Sequence, residues 1–572
     1  MKASERRRRL LTRALPIVLV GAAAFVVGAI AGKPASELGA ARHFAMAWQR
    51  GNLVAMHREL SDDAAKRHPL AAFERAYDDA ERTATIGSLT TGSVASAKTP
   101  DGSDAAAFTV TLRTHAFGRL EGRMVLPLDG GKVDWNPTLV FPGLKPGERL
   151  ERRTRIPGRA SILASNGTPL AEGPASGRTS PLGASATAVV GTVGPPRGKL
   201  IAEQKRLGFP PHAPTGTSGL ELAFNRRLEG NAGGQLLALG AGAPRVLAST
   251  QPTPGRPVHT TIKPSLQRAA VTSLGGTYGG AAVLDAKDGS VLALAGIAFQ
   301  GPQPPGSTFK LVTTTAALDA GIVKPSDQFP IETHTVVGGR SVENANGEAC
   351  GGSFVQAFAQ SCNSVFVPLG PKVGSDRLVG TAEKYGFNSP PPLYNDAALA
   401  AVDPPMSTIP KHIPTAIDLG VSAIGQGKVL ATPLQMAAVA QTIADGGVRD
   451  PNSIVSDPGL GPSQKPVRVT SAKTAATLTT LMLGVVRFGT GTAASLPGIQ
   501  VAGKTGTAEL GPLPTSGAGS QSQRVDAWFT SFAPASAPKL VVAVLIANAN
   551  GAGGEVAAPI AREILASGLG VG

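Results

Sequence analysis

The stretch "PQPPGSTFKLVTTTAALDAG", residues 302–321, decides how the rest of the chain is read. Pro304, Pro305 and Gly306 cannot sit inside a helix, whereas the following residues repeat apolar side chains at helical spacing up to a stop at Gly321. Ser307 therefore falls at a helix start, and Lys310, three residues on, shares its face. A lysine kept neutral by burial or by a second cation can take a proton from a serine hydroxyl, so the pair is a candidate nucleophile and base. A serine at a helix start is more commonly an N-cap and a lysine one turn later a solvated charge, so the pair needs support from elsewhere in the chain. The chain carries its own control. Ser536 and Lys539 repeat the Ser-x-x-Lys spacing, but Pro534 and Pro538 forbid a helix there.

That support comes from two triplets. Ser361-Cys362-Asn363 is the only Ser-x-Asn in the chain, and Lys504-Thr505-Gly506 is the only Lys-[Ser/Thr]-Gly. Alone, the first reads as a turn and the second as a strand with a close-packed glycine. Around them the chain patterns as a sheet interrupted by helices. "AAVLDAKDGSVLALAG" (281–296) reads as two strands joined around Asp288-Gly289, and "IQVAGKTGTAEL", "RVDAWFTSFAP" and "KLVVAVLIANA" read as three more. A helical middle section separates the two groups, and "AAPIAREILASGL" closes the chain as a helix. Strands at both ends with helices between imply a mostly antiparallel sheet and a helical lobe, with chemistry in the cleft between them.

Serine, Ser-x-Asn and Lys-Thr-Gly in this order resemble the penicillin-binding proteins, the serine acyltransferases that include the serine β-lactamases. The flanks "PPGSTFK", "AIGQGKVLATPLQMA", "GTGTAA", "VAGKTGTAE" and "AAPIAR" are similar to the transpeptidase domain of the monofunctional class B members. "TGTSGLELAFNRRLEGNAGG" resembles their connector, or dimerisation, domain. The resemblance implies Ser307 as nucleophile, Lys310 as base and Ser361 as proton relay. It also implies Asn363 as an amide for the substrate side chain, and Lys504, Thr505 and Thr507 as donors to its terminal carboxylate. Gly506 would let the strand approach substrate, and the backbone N–H groups of Ser307 and Thr507 would form the oxyanion hole. Where the family usually opens this domain with Thr-Ile-Asp, Lys263 replaces the acid.

The expected fold class is multidomain α+β, the penicillin-binding transpeptidase fold preceded by smaller parts, with these boundaries: a cytoplasmic tail 1–13, an anchor 14–32, a small α+β domain 33–147, an irregular connector 148–262 and the transpeptidase domain 263–572. The α+β domain has helical patterns first ("ELGAARHFAMAWQRGNLVAMHREL", "PLAAFERAYDDAER") and strand-like ones after ("AAAFTVTLRTHAF", "GRMVLPLDGGKVDWNPTLVFPGL"). It resembles the nuclear-transport-factor-like module of the methicillin-resistance type. Residues 14–32 are 19 uncharged, mostly apolar residues, enough to cross a bilayer and longer than a signal-peptide core. Lys2, Arg6, Arg7, Arg8, Arg9 and Arg13 precede them, which keeps the N-terminus cytoplasmic and the catalytic part outside.

A net charge of +15 would suit nucleic acid, but aromatics are only 4% of the chain and no nucleic-acid motif is present. Anionic lipid and envelope polymers fit the sign. Two cysteines and eight histidines with no ligand spacing imply no metal, and no cofactor is expected. Cys350 and Cys362 are candidates for a disulfide bracing the Ser361 loop, with two unpaired thiols as the alternative. The function expected is a D,D-transpeptidase joining peptidoglycan stem peptides and blocked by β-lactams, with a glycosyltransferase as partner in wall synthesis. The alternative is a β-lactam sensor or hydrolase, which shares the same motifs but seldom this domain set.

Overall fold

The computed structural model describes residues 38–509 and 524–571. The expected anchor, 14–32, lies outside them. Among the described residues no helix is long and apolar enough to cross a membrane. The described residues form two compact units, one holding 38–160, 194–215 and 229–256, the other holding 161–193, 216–228, 257–509 and 524–571.

In the first unit, helices Gly39–Gln49, Leu53–His57, Asp62–Arg67 and Leu70–Ala84 precede an antiparallel sheet built on strands Asp104–Thr114 and Gly118–Asp129. The apolar faces meet in a core of Phe44, Trp48, Phe73, Tyr77, Phe108 and Trp135. Trp135 Nε1 donates to the Tyr77 hydroxyl and that hydroxyl to Leu139 O, so both buried polar tips are satisfied. One strand-like reading changes: Pro137–Val140 is a 3-10 turn, because the Asn136 side chain accepts from Thr138 N and Pro137 sets the first φ. The expected connector does not stand apart. Its strands Arg149–Arg155, Gly233–Leu239 and Arg245–Thr250 form one sheet in this unit. Its short strands Ile162–Leu163 and Pro169–Ala171 pair in the other.

The second unit is organised on a five-stranded sheet in the order Val291–Gly296, Gly279–Asp285, Leu540–Ala549, Val525–Ala533, Ala502–Glu509, with every neighbouring pair antiparallel. Helices Pro264–Leu274 and Gly553–Leu569 cover one face through Leu266, Ala270, Ala561, Ile564 and Leu565. Helices Pro433–Ala444 and Ala472–Phe488 pack on the sheet as well. Helices Asn363–Val373, Ser375–Lys384 and Ala472–Phe488 pack around the helix Lys310–Asp319, and Phe354–Ala359 packs on Ala472–Phe488. That helix is buried on every side from Lys310 to Ala317. The strand Ala502–Glu509 is the sheet edge, and the turn Gly306–Phe309 packs against it.

Candidate active site

Ser307 sits in a 3-10 turn, Gly306–Phe309, immediately ahead of the helix that starts at Lys310. Its turn is fixed by backbone and ring contacts: Gly306 N donates to Gly425 O at 2.9 Å, Thr308 Oγ1 to Pro305 O at 2.7 Å, and Trp528 Nε1 to Pro304 O at 2.9 Å. Ser307 itself is half-buried, as a nucleophile open to substrate requires.

Lys310 and Lys504 are both fully buried. Among the described residues neither has a carboxylate at ion-pair distance. Lys310 Nζ reaches Ser361 O at 2.7 Å, Asn363 Oδ1 at 2.8 Å and Ser361 Oγ at 3.2 Å. Lys504 Nζ donates to Ser361 Oγ at 2.9 Å and to Thr505 O at 3.2 Å. Ser361 Oγ thus stands between two amines. Burial holds the Lys310 pKa well below the usual lysine range, and the Lys504 charge adds to the shift. Burial alone lowers that of Lys504 to about 7. The neutral form of Lys310 has two N–H groups and one lone pair. The carbonyl and amide oxygens take the hydrogens, and Ser361 O–H can donate to the lone pair. The expected direct link differs: among the described residues no hydrogen bond joins Lys310 to Ser307 Oγ.

Ser361 is presented by the end of helix Phe354–Ala359. Ser361 N bonds to Phe358 O at 3.1 Å and Cys362 N to Ala357 O at 2.9 Å, a Schellman stop with Ser361 in the left-handed position, φ +62°. Cys362 then caps the helix Asn363–Val373 and is joined to Cys350 by a disulfide with a Cα–Cα distance of 5.5 Å. Asn363 spans the site, accepting from Lys310 and donating Nδ2 to Glu343 O at 3.0 Å.

On the edge strand, Gly506 packs directly against the serine turn. A Cβ there would lie 2.7 Å from Pro305 O and 2.9 Å from Trp528 Cβ, so its absence seats the strand against the serine turn. Gly306 answers it: its Cβ, at φ +52°, would meet Thr507 O at 2.7 Å. In a strand the N–H and C=O of one residue point to the same side, so the Thr507 N–H also faces the Ser307 turn. Thr507 Oγ1 accepts from Gly553 N at 3.3 Å, at the start of the last helix. Thr505 Oγ1 lies 2.5 Å from the hydroxyl of Thr490. All eight expected site residues meet here. Trp528, Gly425 and Thr490 were missed as site residues, although "AIGQGK", "GTGTAA" and "DAWF" were visible as segments.

The comparisons with known proteins agree with this geometry. Residues 279–566 match the penicillin binding protein transpeptidase domain. The chain belongs to the penicillin-binding protein transpeptidase family. Residues 173–260 match the penicillin-binding protein dimerisation domain, which accompanies it in class B members. Among curated relatives, the peptidoglycan D,D-transpeptidase PbpA of Mycobacterium tuberculosis is 38% identical over 286 residues, covering 46% of this chain and 55% of that protein. PbpA of Mycolicibacterium smegmatis is 34% identical over 373 residues, covering 55% and 73%. This penicillin-binding fold also aligns with the structure of penicillin-binding protein A from M. tuberculosis as a ceftriaxone acyl-enzyme complex. The TM-score is 0.56 with 28% identity, and the alignment covers 72% of this chain and 98% of that one.

Proposed function

We propose that the protein is a peptidoglycan D,D-transpeptidase working through an acyl-enzyme on Ser307. The observation that carries the reading is the pair of fully buried lysines sharing Ser361 Oγ beside the Ser307 turn. Ser307 Oγ attacks the carbonyl carbon of a penultimate D-alanine, and its proton passes to neutral Lys310. The oxyanion is received by the N–H groups of Ser307 and Thr507. A proton returns through Ser361 to the departing nitrogen, the C–N bond breaks, and D-alanine leaves. An amine from a second stem peptide then attacks the ester carbon, its proton passes through Ser361 to Lys310 and on to Ser307 Oγ, and the C–O bond breaks to release Ser307. Lys504, with the Thr505 and Thr507 hydroxyls, holds the donor's terminal carboxylate.

A β-lactam follows the first half of this path. Hydrolysis of the adduct needs a base for water, and among the described residues no carboxylate side chain is hydrogen-bonded to Ser307, Lys310, Ser361, Asn363 or Lys504. That favours transfer over a hydrolase. In the same reading the helices-then-sheet unit is the nuclear-transport-factor-like module. Residues 14–32 anchor the chain with its catalytic part outside the membrane, where a glycosyltransferase supplies glycan strands. The test is a D-Ala-D-Ala-ended peptide offered with an amine acceptor and followed by mass spectrometry. One amide product per D-alanine released is expected, and penicillin turnover several times per second would move the protein to the hydrolase alternative.

A further inference from the structure

Thr490 lies in "GTGTAA", the loop between helix Ala472–Phe488 and the edge strand, and its residue is exposed. Its backbone leaves no slack. Thr490 N donates to Ala359 O at 3.1 Å, two residues before Ser361. A Cβ on Gly489 would lie 2.3 Å from that same Ala359 O, and one on Gly554 would lie 2.1 Å from Thr490 O. The loop is therefore wedged between the Ser361-bearing helix and the first turn of the last helix. From there Thr490 Oγ1 meets Thr505 Oγ1 at 2.5 Å, and among the described residues its only other acceptor is Ala359 O at 3.4 Å.

Two hydroxyls in contact share one hydrogen, so one of them donates and the other keeps its own hydrogen for a third group. If Thr490 turned its hydrogen to Ala359 O, Thr505 would have to spend its own on Thr490. The Ala359 oxygen is the longer partner and already accepts from Thr490 N. A carboxylate beside Lys504 only accepts, so it selects the other arrangement.

We propose that Thr490 is a positioning residue for the donor's carboxylate: its hydroxyl donates to Thr505 Oγ1 and thereby leaves the Thr505 O–H aimed at that carboxylate. This rests on the acyl-transfer reading above, with the ligand class an anionic C-terminal or lactam carboxylate.

The experiment uses the full chain and two acylating agents, benzylpenicillin and its methyl ester, with the second-order acylation rate constant as readout. Thr490→Val is expected to slow the acid ~10-fold, the scale of one hydrogen bond to a charged group, while the ester changes less than ~2-fold. Thr490→Ser, which keeps the hydroxyl, retains the wild-type acid-to-ester ratio. In a Thr505→Val background Thr490→Val adds nothing further, because the effect acts through Thr505. Thr490→Ala repeats the comparison should the valine variant fail to fold. Equal slowing of acid and ester, an unchanged ratio, or an effect that persists without the Thr505 hydroxyl would overturn the assignment. Wild type that penicillin does not acylate at all would instead remove the acyl-transfer reading on which it rests.

Discussion

Ser361 occupies a left-handed backbone position at the end of a helix, where glycine is the usual residue, and a β-carbon there costs about 1 kcal/mol. The side chain is kept because, among the described residues, its hydroxyl is the one atom hydrogen-bonded to both lysines. Ser361→Gly therefore separates the two demands: the melting temperature is expected to hold or rise, while penicillin acylation falls ~100-fold, the lower range for losing a proton relay. A fall in both, by thermal melt and acylation kinetics, would contradict this account. The lysines set the pH profile. Acylation needs neutral Lys310 and charged Lys504, so its rate for a carboxylate-bearing penicillin declines as pH rises through about 7, where Lys504 loses its proton. Stability moves the other way. A lysine whose pKa is lowered on folding binds fewer protons folded than unfolded, so its penalty is full below about pH 7 and is relieved as pH climbs toward the ordinary lysine range. Replacing the buried amine by Lys504→Met should thus raise the melting temperature most at low pH, the difference from wild type shrinking by pH ~10. At this scale the sequence showed the chemistry-bearing residues, since Ser307, Ser361 and Lys504 sit in distinctive triplets. It hid Thr490 and the packing of Gly506 against the Ser307 turn, because both depend on contacts between segments far apart in the chain.

The helix Pro264–Leu274 begins without a side-chain cap. Lys263 holds the N-cap backbone conformation, but an ammonium cannot accept from the first-turn N–H groups, and its charge opposes the helix dipole. Lys263→Asp is expected to add about 1 kcal/mol of stability, read as a raised denaturation midpoint at unchanged slope. No gain would mean that the first turn is satisfied some other way. The disulfide acts elsewhere: closing the loop from Cys350 to Cys362, a sequence separation of 12 that encloses Ser361, restricts the unfolded chain by roughly 2.5–3 kcal/mol on the loop-entropy account. Elements were legible where apolar residues run together or recur at a regular period. The strands Gly279–Asp285, Val291–Gly296 and Leu540–Ala549 are almost wholly buried and read directly from their apolar runs. Ile86–Thr91 and Ala95–Lys98 were not legible, because "IGSLTT" and "ASAK" are mostly polar or small and largely exposed, so no alternation marks them.

Over the whole molecule, the order of parts follows the sequence, from helices and sheet through the connector region to a sheet with a helical excursion. What patterning could not supply is the partition, since residues 194–215 and 229–256 join the first compact unit while 216–228 join the second. Only non-local pairing decides that, as when Gly233–Leu239 pairs with Arg149–Arg155 across some eighty residues. The same non-local geometry separates the two Ser-x-x-Lys copies. Ser536 and Lys539 are exposed ahead of a strand, whereas Ser307 leads into a helix whose Lys310 is buried beside Lys504. The central claim is that Ser307 alone forms the acyl-enzyme. Intact-mass analysis after penicillin treatment, with peptide mapping, tests it on wild type beside Ser307→Ala. The account predicts one adduct on the peptide carrying Ser307 and none on the variant, and an adduct that persists in Ser307→Ala would contradict it.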